Sequence, residues 1–339
     1  MRRLWLLARS LGSAAALVLA AGCGGSEPSP DRVRIAVGPF LSHAPFFIAA
    51  EEGLFEAQGL EVELVWLLGR EGTVALMRGE VDVATHFVSA GLFNSIHRGV
   101  RLRVVADKGH EASDGCVANA LLGRRELFGD GGTRDLRALA GRGIDYKPAA
   151  IHEYWVEALL AGQGLTYADF TLHNVPQAAK LEALRSGGIE LAPWSEPYLT
   201  QALDAGVGVP LARPTDALPS QQWAFVVYGR RLLDERPDVG ERLMVGYLEA
   251  VLRYMEGDRR RNAEIVAAYT GLSADLLERA CWLPIRTDGR IDHESALRFQ
   301  EWALAKDYLD RVVPADEFWE PRFIERAAEQ FEAAPVAAP

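Results

Sequence analysis

Residues Val33 to Ser89 read VRIAVGPFLSHAPFFIAAEEGLFEAQGLEVELVWLLGREGTVALMRGEVDVATHFVS, and they decide the fold. The first residues alternate and then break at Gly38-Pro39, which predicts a strand that ends in a loop. A helix opened by Pro45 follows, and then a strand, a helix and a strand over 61–89. Strands that alternate with helices form parallel sheets, in which ligands bind beyond the carboxyl ends of the strands. We therefore expect an α/β fold with a ligand site at these strand ends.

The chain after residue 116 repeats the alternation of strands and helices. Strands are predicted over 143–146, 170–175 and 189–197, helices over 151–161 and 177–186, and an almost wholly helical region from 237 to 332. Two apolar segments, Cys116–Arg124 and Gln222–Tyr228, are predicted to cross between two lobes and to form a hinge for lobe closure. We assign residues 32–115 and 225–339 to lobe 1, with the C-terminal helices, and 116–224 to lobe 2.

The first lobe also resembles a known family. The resemblance rests on a proline-opened helix that reaches Gly53-Leu-Phe, on Gly59-Leu-Glu-Val, and on ALMRGEVDVA over 75–84. This pattern is similar to the substrate-binding lipoproteins of ABC importers for sulfonates, taurine, nitrate and thiamine-pyrimidine precursors. It implies a two-lobed type II periplasmic-binding fold that captures a small molecule and delivers it to the importer's permease and ATPase. The family often carries serine or threonine where this chain has Ala149 and Ala150.

The composition is that of an acidic globular chain. Its 339 residues, 49% of them hydrophobic, suffice for about two domains with real cores. The formal net charge is −11, whereas nucleic-acid phosphates attract basic surfaces. We expect no nucleic-acid partner, and we expect a monomer.

The first 22 residues are typical of an export signal. Arg2 and Arg3 precede an apolar run over 4–19, and small residues lead to Cys23. The apolar run is shorter than the ~20 residues that span a bilayer. LAAGC resembles a bacterial lipobox, although Ala20 stands where leucine is more usual. We expect residues 1–22 to be a lipoprotein signal peptide, Cys23 to be lipidated, and 23–31 to tether an exported protein to the membrane, facing the periplasm or cell exterior.

Two cysteines remain after Cys23. Cys116 and Cys281 can pair or stay free, and the sequence does not decide between these states. We favour free thiols, because one cysteine lies near a predicted lobe crossing and the other in the helical C-terminal region.

Polar and aromatic residues cluster at the predicted strand ends. Histidines and lysines recur there, which together favours a polar ligand. Any one of them has an equally ordinary interpretation as a loop residue or helix cap. The candidate ligand-binding residues are Ser42, His43, His86, Ser89, Lys108 and His110 in lobe 1, and Tyr146, Lys147, His152, Trp194, Glu196 and Trp223 in lobe 2. We expect His86 and Trp194 to face each other across the cleft.

Two ligand classes fit these residues. The first is an aromatic, nitrogen-containing vitamin precursor that stacks on aromatic side chains and hydrogen-bonds to histidine and lysine. The second is a small organic anion held by Arg70, Lys108 and Lys147. The aromatic candidates for stacking are Phe46, Tyr146, Trp155, Trp194 and Trp223.

Three functional classes follow from the sequence. The first is a solute-binding lipoprotein without catalytic activity or a cofactor. The second is an enzyme on the same fold, which the absence of GxSxG, HExxH and Walker motifs disfavours. The third is a metal-binding protein that uses His43, His86 and His110 with Asp107, because imidazole suits zinc and similar ions. Those histidines have no metal-site spacing, so the first class is preferred.

Overall fold

The computed structural model describes residues 30–111, 115–129, 135–218 and 220–333. They form two five-stranded sheets, here called sheet 1 and sheet 2. Sheet 1 contains β1 (Asp31–Val37), β2 (Leu60–Trp66), β3 (Val83–Phe87), β4 (Leu102–Glu111) and β10 (Gln221–Gly229). Sheet 2 contains β5 (Asn119–Arg124), β6 (Gly143–Asp145), β7 (Thr171–His173), β8 (Leu191–Ser195) and β9 (Gly208–Ala212).

The two sheets share one arrangement. Sheet 1 has the order β2-β1-β3-β10-β4, with β10 antiparallel to both of its neighbours. Sheet 2 has the order β7-β6-β8-β5-β9, with β5 antiparallel to both of its neighbours. Strand β1 is parallel to β2 and β3, and strand β6 is parallel to β7 and β8, as alternating strands and helices require. This topology confirms the predicted two-lobed α/β fold.

The described helices alternate with the strands and then accumulate at the C-terminal end. Those between the strands are α1 (Ala44–Glu51), α2 (Arg70–Met77), α3 (Ala90–His97), α4 (Arg125–Phe128), α5 (Ile151–Ala161), α6 (Gln177–Ser186) and α7 (Tyr198–Asp204). Those that follow are α8 (Pro237–Glu256), α9 (Arg259–Thr270), α10 (Ala274–Arg279), α11 (His293–Ala305), α12 (Ala315–Phe318) and α13 (Arg322–Ala333). Within the described ranges, none of the helices is both long enough and apolar enough to span a bilayer.

Neither predicted crossing segment spans the two sheets: most of Cys116–Arg124 is strand β5 of sheet 2, and the predicted return crossing at Gln222–Tyr228 is wrong as well. The latter segment lies within β10, and all nine residues of β10 are buried because the strand is central in sheet 1. A buried central strand and a buried crossing strand have the same continuous apolar pattern, so the sequence did not separate them. The chain instead passes from sheet 2 to sheet 1 between Ala212 and Gln221.

The C-terminal helices contact both halves of the molecule. Helices α8 and α13 pack on each other, α8 packs on α1, and α13 packs on β4 of sheet 1. Helix α11 also reaches α5, where Trp302 Nε1 donates to Glu157 Oε2 over 3.3 Å. Lys306 Nζ lies 2.6 Å from the same carboxylate. The prediction that these helices pack on lobe 1 therefore describes only some of their contacts.

Cys116 and Cys281 form a disulfide, with their Cα atoms 5.6 Å apart. Our preference for free thiols is wrong. The segment after α10 folds back against the connection between β4 and β5, and a separation of 165 residues carries no local signal of that approach. The disulfide therefore joins the C-terminal region to a connection between the sheets.

Candidate functional site

A cavity of about 710 Å³ opens between the two sheets. Its wall is built from the residues that follow parallel strands and from the first residues of helices α2, α3, α5 and α6. Such a position is expected of a ligand site in an open α/β fold. Sheet 1 and its helices contribute Phe40, Leu68, Gly69, Arg70, Thr73, Val74, Met77, His86, Phe87, Ser89, Gly91 and Ser95. Sheet 2 and its helices contribute 147–150, His152, 174–177, Lys180, Pro193 and Ser195.

The loops after β3 and β6 are hydrogen-bonded to each other at this cavity. Ser89 and Ala150 form an antiparallel bridge, in which Ala90 N donates to Ala149 O and Ile151 N donates to Val88 O, each over 2.9 Å. Ala149 has a φ of 58°, which is unfavourable for alanine, and its amide donates to Glu153 Oε2 over 2.6 Å. These bonds join sheet 1 and sheet 2 directly.

The charges that line the cavity are all positive. Three cationic residues reach it, and the lining within the described residues contains no aspartate or glutamate, although the whole chain has a net charge of −11. The helix starts add the positive ends of four helix dipoles. The cationic residues are Arg70, Lys147 and Lys180.

Hydrogen bonding distinguishes the two lysines. Lys147 Nζ donates to Asp145 Oδ1 (2.9 Å), Asn174 Oδ1 (2.7 Å) and Val175 O (2.6 Å), and this uses all three of its N–H groups. Lys180 Nζ contacts Asp145 Oδ2 (2.8 Å) and Pro193 O (3.1 Å), which leaves one N–H group. Burial lowers the pKa of Lys180, and the neighbouring Asp145 opposes that shift. Lys180 is therefore the better donor to a ligand.

Two neutral imidazoles line the same cavity. His86 Nδ1 lies 2.5 Å from Phe87 O, and His152 Nε2 lies 3.3 Å from Ser195 Oγ. Burial lowers the pKa of His86 below its usual value. Burial lowers the pKa of His152 to about 3, and the nearby Lys180 contributes. Both rings are thus uncharged at neutral pH.

The structure brings four predicted site residues, His86, Ser89, Lys147 and His152, together at the cavity. Three others, Ser42, Glu196 and Trp223, line a separate small cavity of about 10 Å³. That volume holds a single water at most. Glu196 accepts from Thr200 N (3.0 Å) and Thr200 Oγ1 (2.7 Å) at the start of α7. Burial raises its pKa.

Lys108, in β4, and His43, directly before α1, are buried rather than exposed in the large cavity. Lys108 is 1% exposed and its Nζ donates to Ser42 Oγ over 2.7 Å. Burial lowers the pKa of Lys108 to about 7. His43 Nε2 lies 2.6 Å from Thr85 Oγ1, and burial, with the charge of Lys108, lowers its pKa well below the usual value. Neither residue is part of the lining of the large cavity.

Trp194 lies in the core of sheet 2, and our prediction that it faces His86 across the cleft is contradicted. Its side chain is 2% exposed and packs in a cluster with Leu122, Leu184 and Leu199. Successive strand residues point to opposite faces, so Pro193 and Ser195 line the cavity and Trp194 points away. The end of strand β8 was predicted correctly, but the face of the strand that lines the cavity was not.

The other predicted residues have partners outside the cavity. His110 Nδ1 lies 3.1 Å from Asp107 Oδ2. Tyr146 donates to Glu153 Oε1 over 3.0 Å and contacts the Tyr308 hydroxyl, also over 3.0 Å. The proposed stacking residues Phe46, Trp155, Trp194 and Trp223 are each at most 2% exposed. The aromatic rings at the cavity are instead Phe40 and Phe87.

Several residues that line the cavity were not predicted from the sequence. Lys180 lies one turn after the start of α6, so the helical period from Gln177 identifies the same face. Ser195 follows from the alternation in β8. Asn174 and Thr73 carry no comparable signal, because their loop and helix positions depend on tertiary packing.

The histidines predicted as metal ligands do not converge. Across the described ranges, no group of three or more histidine, cysteine, aspartate or glutamate side chains is arranged to hold a metal ion. Each of His43, His86 and His110 bonds to a different protein group, as described above. The metal-binding alternative has no support in this geometry.

Several solved proteins share the fold of this chain. The ligand-binding component of an ABC-type import system from Staphylococcus aureus, solved with zinc bound, has 19% identity and a TM-score of 0.73, over 88% of this chain and 99% of that chain. The periplasmic nitrate-binding protein NrtA from Synechocystis PCC 6803 has 15% identity and a TM-score of 0.74, over 93% and 92%. The alkanesulfonate-binding protein SsuA from Xanthomonas axonopodis pv. citri, bound to MOPS, has 18% identity and a TM-score of 0.70, over 86% and 99%.

The chain belongs to the NMT1-like family, whose family model matches residues 26–270. This match confirms the family resemblance read from the sequence. No curated protein matches the chain. The same fold also occurs in the desulfurization enzyme DSZB, with 17% identity and a TM-score of 0.64, over 89% of this chain and 98% of that chain. Solved proteins with this fold thus include both binding proteins and an enzyme.

Proposed function

We propose that this protein is an extracytoplasmic solute-binding protein that captures an organic anion in the cavity between its two sheets and delivers it to the permease of an ABC importer. The single observation that carries the proposal is the charge of the cavity: three cationic side chains and four helix N-termini line it, without a described carboxylate, in a chain of net charge −11. In a chain of net negative charge, a cavity lined by cationic side chains is a region that attracts an anion.

The rest of the lining favours a ligand with a substantial apolar part. Phe40, Leu68, Val74, Met77 and Val175 form apolar wall, and a volume of about 710 Å³ is ample for a ring or chain. The heteroaromatic precursor is less favoured, because its expected stacking residues lie in the core. The organic anion of the sequence analysis is retained, with Lys180 and Arg70 as its cationic partners in place of Lys108.

Binding without catalysis is favoured by the state of the cavity hydroxyls. Ser195 Oγ donates to Asn119 Oδ1, so its proton is not available to His152. Ser89 Oγ accepts from Leu92 N at 3.4 Å as the cap of α3. Neither hydroxyl has the base that an attacking nucleophile requires.

Export and anchoring complete the proposal. The signal-like residues 1–22 and Cys23 lie outside the described residues, and we retain Cys23 as the proposed lipidation site. A lipid on Cys23 and the tether over 23–31 would hold the protein near its permease. The two-lobe division of the sequence analysis is also retained as a proposal, with the return between lobes moved to the residues before Gln221.

Native mass spectrometry of the mature protein, purified from its own membrane without a tag, tests the proposed ligand class. We expect a retained organic acid, which is released under denaturing conditions and identified by its accurate mass. Rebinding of the isolated compound, measured by calorimetry, should occur with one site per chain. A retained cation or an uncharged heterocycle would contradict the anion assignment.

A further inference from the structure

The two imidazoles in the cavity differ in which ring nitrogen is left for a ligand. His86 uses Nδ1, because that atom lies 2.5 Å from Phe87 O. A carbonyl oxygen only accepts, so Nδ1 carries the proton. Since the ring is neutral, its other nitrogen, Nε2, has a lone pair and no proton. His86 therefore presents a hydrogen-bond acceptor at the cavity.

His152 also presents a nitrogen without a proton, and a chain of hydrogen bonds determines which one. Asn119 Nδ2 donates to Glu111 Oε1, which turns Asn119 Oδ1 towards Ser195. The Ser195 hydroxyl donates to that oxygen, so the contact of 3.3 Å between Ser195 Oγ and His152 Nε2 requires a proton on Nε2. The neutral His152 then presents Nδ1 as an acceptor.

Neither acceptor is used by the protein. Within the described part of the chain, His86 Nε2 and His152 Nδ1 have no hydrogen-bond partner, and neither is among the fully enclosed polar atoms, unlike Nδ1 of His43. Both residues line the large cavity. When a ligand fills the cavity and displaces water, an acceptor that is left without a partner is costly, so these two nitrogens favour a ligand that brings its own donor groups.

We propose that the ligand is an organic anion that also carries uncharged hydrogen-bond donors, either hydroxyl or N–H groups, and that His86 and His152 select it by each accepting a hydrogen bond from one of these donors. The inference rests on the proposed function, since it concerns the same cavity. His152 contacts Ser195, and Lys180 contacts Pro193, which lies two residues before Ser195 on β8. The donor group that faces His152 and the anionic group that faces Lys180 are therefore near neighbours in the ligand, as in a 2-hydroxy acid.

Matched ligand pairs that differ by one hydroxyl test the inference without altering the protein. The pairs are mandelate with phenylacetate, 3-phenyllactate with 3-phenylpropionate, and isethionate with ethanesulfonate, each titrated by calorimetry into the mature chain. Burial raises the pKa of Glu111 to about 7. The titrations are therefore carried out at pH 8, where this carboxyl group is ionised. We expect the hydroxylated member of the pairs that bind to bind at least about tenfold more tightly, as a site built to accept from a hydroxyl discriminates.

The variants His86→Phe and His152→Phe connect the preference to these rings. Because the single hydroxyl of these ligands donates to one ring, we expect at least one of the two variants to reduce the hydroxyl preference to threefold or less. His173→Phe, which alters a strand residue outside the cavity lining, is the matched control and should keep the full preference. Nitrogen-15 NMR of the ligand-free protein supplies a readout that does not depend on a variant: His86 should be protonated at Nδ1 and His152 at Nε2.

The possible outcomes separate the two proposals. Equal affinity within the pairs, or the opposite protonation of both rings, overturns the donor inference and leaves the anion-binding function standing. Binding of none of the six anions to the wild-type chain contradicts the anion-binding function, and the inference with it. A hydroxyl preference that survives both substitutions assigns selection to other residues and also overturns the inference.

Discussion

At the scale of single residues, the cavity separates lysines that bind the protein from a lysine that can bind a ligand. Lys147 gives all of its N–H groups to Asp145, Asn174 and Val175, and it holds the end of β6 against the start of α6. Lys180 has one N–H group left. The functional difference between two lysines that line one cavity is therefore set by their hydrogen-bond partners.

We expect Lys180→Met to weaken binding of the retained anion by roughly 10- to 100-fold, as the loss of a charge-assisted hydrogen bond of about 1.5–3 kcal/mol requires. Calorimetric titration measures this effect. Lys306→Met, which breaks an ion pair with Glu157 outside the cavity, is the control and should bind normally. Equal affinity of Lys180→Met and the wild type would remove Lys180 from the site.

The prediction for Lys108 concerns the stability of the protein rather than its affinity for a ligand. Its folded pKa of about 7 lies below the value of ~10.4 in an unfolded chain, so the unfolded chain binds more protons between these values. The contribution of Lys108 to the free energy of unfolding should therefore rise with pH from about 7 to about 10.4. Its destabilising effect should be largest at and below pH 7. Lys108→Met should stabilise the protein at pH 7 by roughly 1–4 kcal/mol, as replacement of buried charge often does.

Urea denaturation of the wild type and Lys108→Met at pH 6, 7, 8 and 9 measures this effect. The advantage of the variant should shrink as the pH rises. Ligand affinity should stay within about twofold of the wild type, because Lys108 is not part of the cavity lining. A destabilised variant, or an advantage that grows with pH, would show that the charged amine is stabilised by its surroundings.

Residue identity at the strand ends was predictable from the sequence, and side-chain direction was not. His86 and His152 follow predicted elements and line the cavity. Trp194 follows one too, yet the alternation of β8 directs Ser195 there instead. Aromatic residues serve the core and the binding site equally well, so composition alone does not decide between them.

At the scale of elements, helices and parallel strands of the first lobe were predictable because their periods differ and turn residues separate them. Strand β10 was not, since central and crossing strands share one apolar pattern. The disulfide between Cys116 and Cys281 was equally hidden, because it depends on the long-range path of the C-terminal helices. What the sequence lacks is therefore long-range pairing, and local structure is largely encoded in it.

Helix α8 packs closely because glycine replaces a side chain at one contact. A Cβ atom at Gly246 would lie 2.9 Å from the Phe55 ring and 3.2 Å from Leu54 O. We expect Gly246→Leu to lower stability by about 1–3 kcal/mol, because overpacking outweighs the gain of about 1 kcal/mol in helix propensity. Thermal and urea denaturation measure the change, with Glu241→Leu on the same helix as control. A Gly246→Leu protein as stable as the wild type would show that α8 can move away from Phe55.

At the scale of the whole molecule, three sets of contacts join the two sheets across the cavity region. The loops after β3 and β6 are bridged at Ser89 and Ala150. The disulfide ties the C-terminal region to the connection before β5. Tyr308, after α11, contacts Tyr146 and Glu153 on the side of sheet 2. Any closure of the lobes over a ligand would therefore involve the C-terminal region as well as the segments that connect the sheets.

The Tyr308 hydroxyl allows the contribution of this region to be measured without altering the cavity wall. It lies 3.0 Å from both the Tyr146 hydroxyl and Glu153 Oε1, and Glu153 also accepts from the Ala149 amide beside the cavity. Tyr308→Phe removes the hydroxyl and keeps the ring against Trp302. If these bonds favour the closed form, their loss shifts the population towards an open form, and ligand affinity falls by the same factor.

We expect Tyr308→Phe to bind the retained anion about 3- to 10-fold more weakly, which is the effect of losing one or two hydrogen bonds of about 1 kcal/mol in the closed form only. Small-angle scattering of the ligand-free variant should give a larger radius of gyration than the wild type, and saturating ligand should bring the two together. Tyr269→Phe, which keeps its stacking on Phe47 at a centroid distance of 5.0 Å, is the control. Unchanged affinity with unchanged scattering would mean that the C-terminal contacts move with sheet 2 as one body, and closure would then depend on the connecting segments alone.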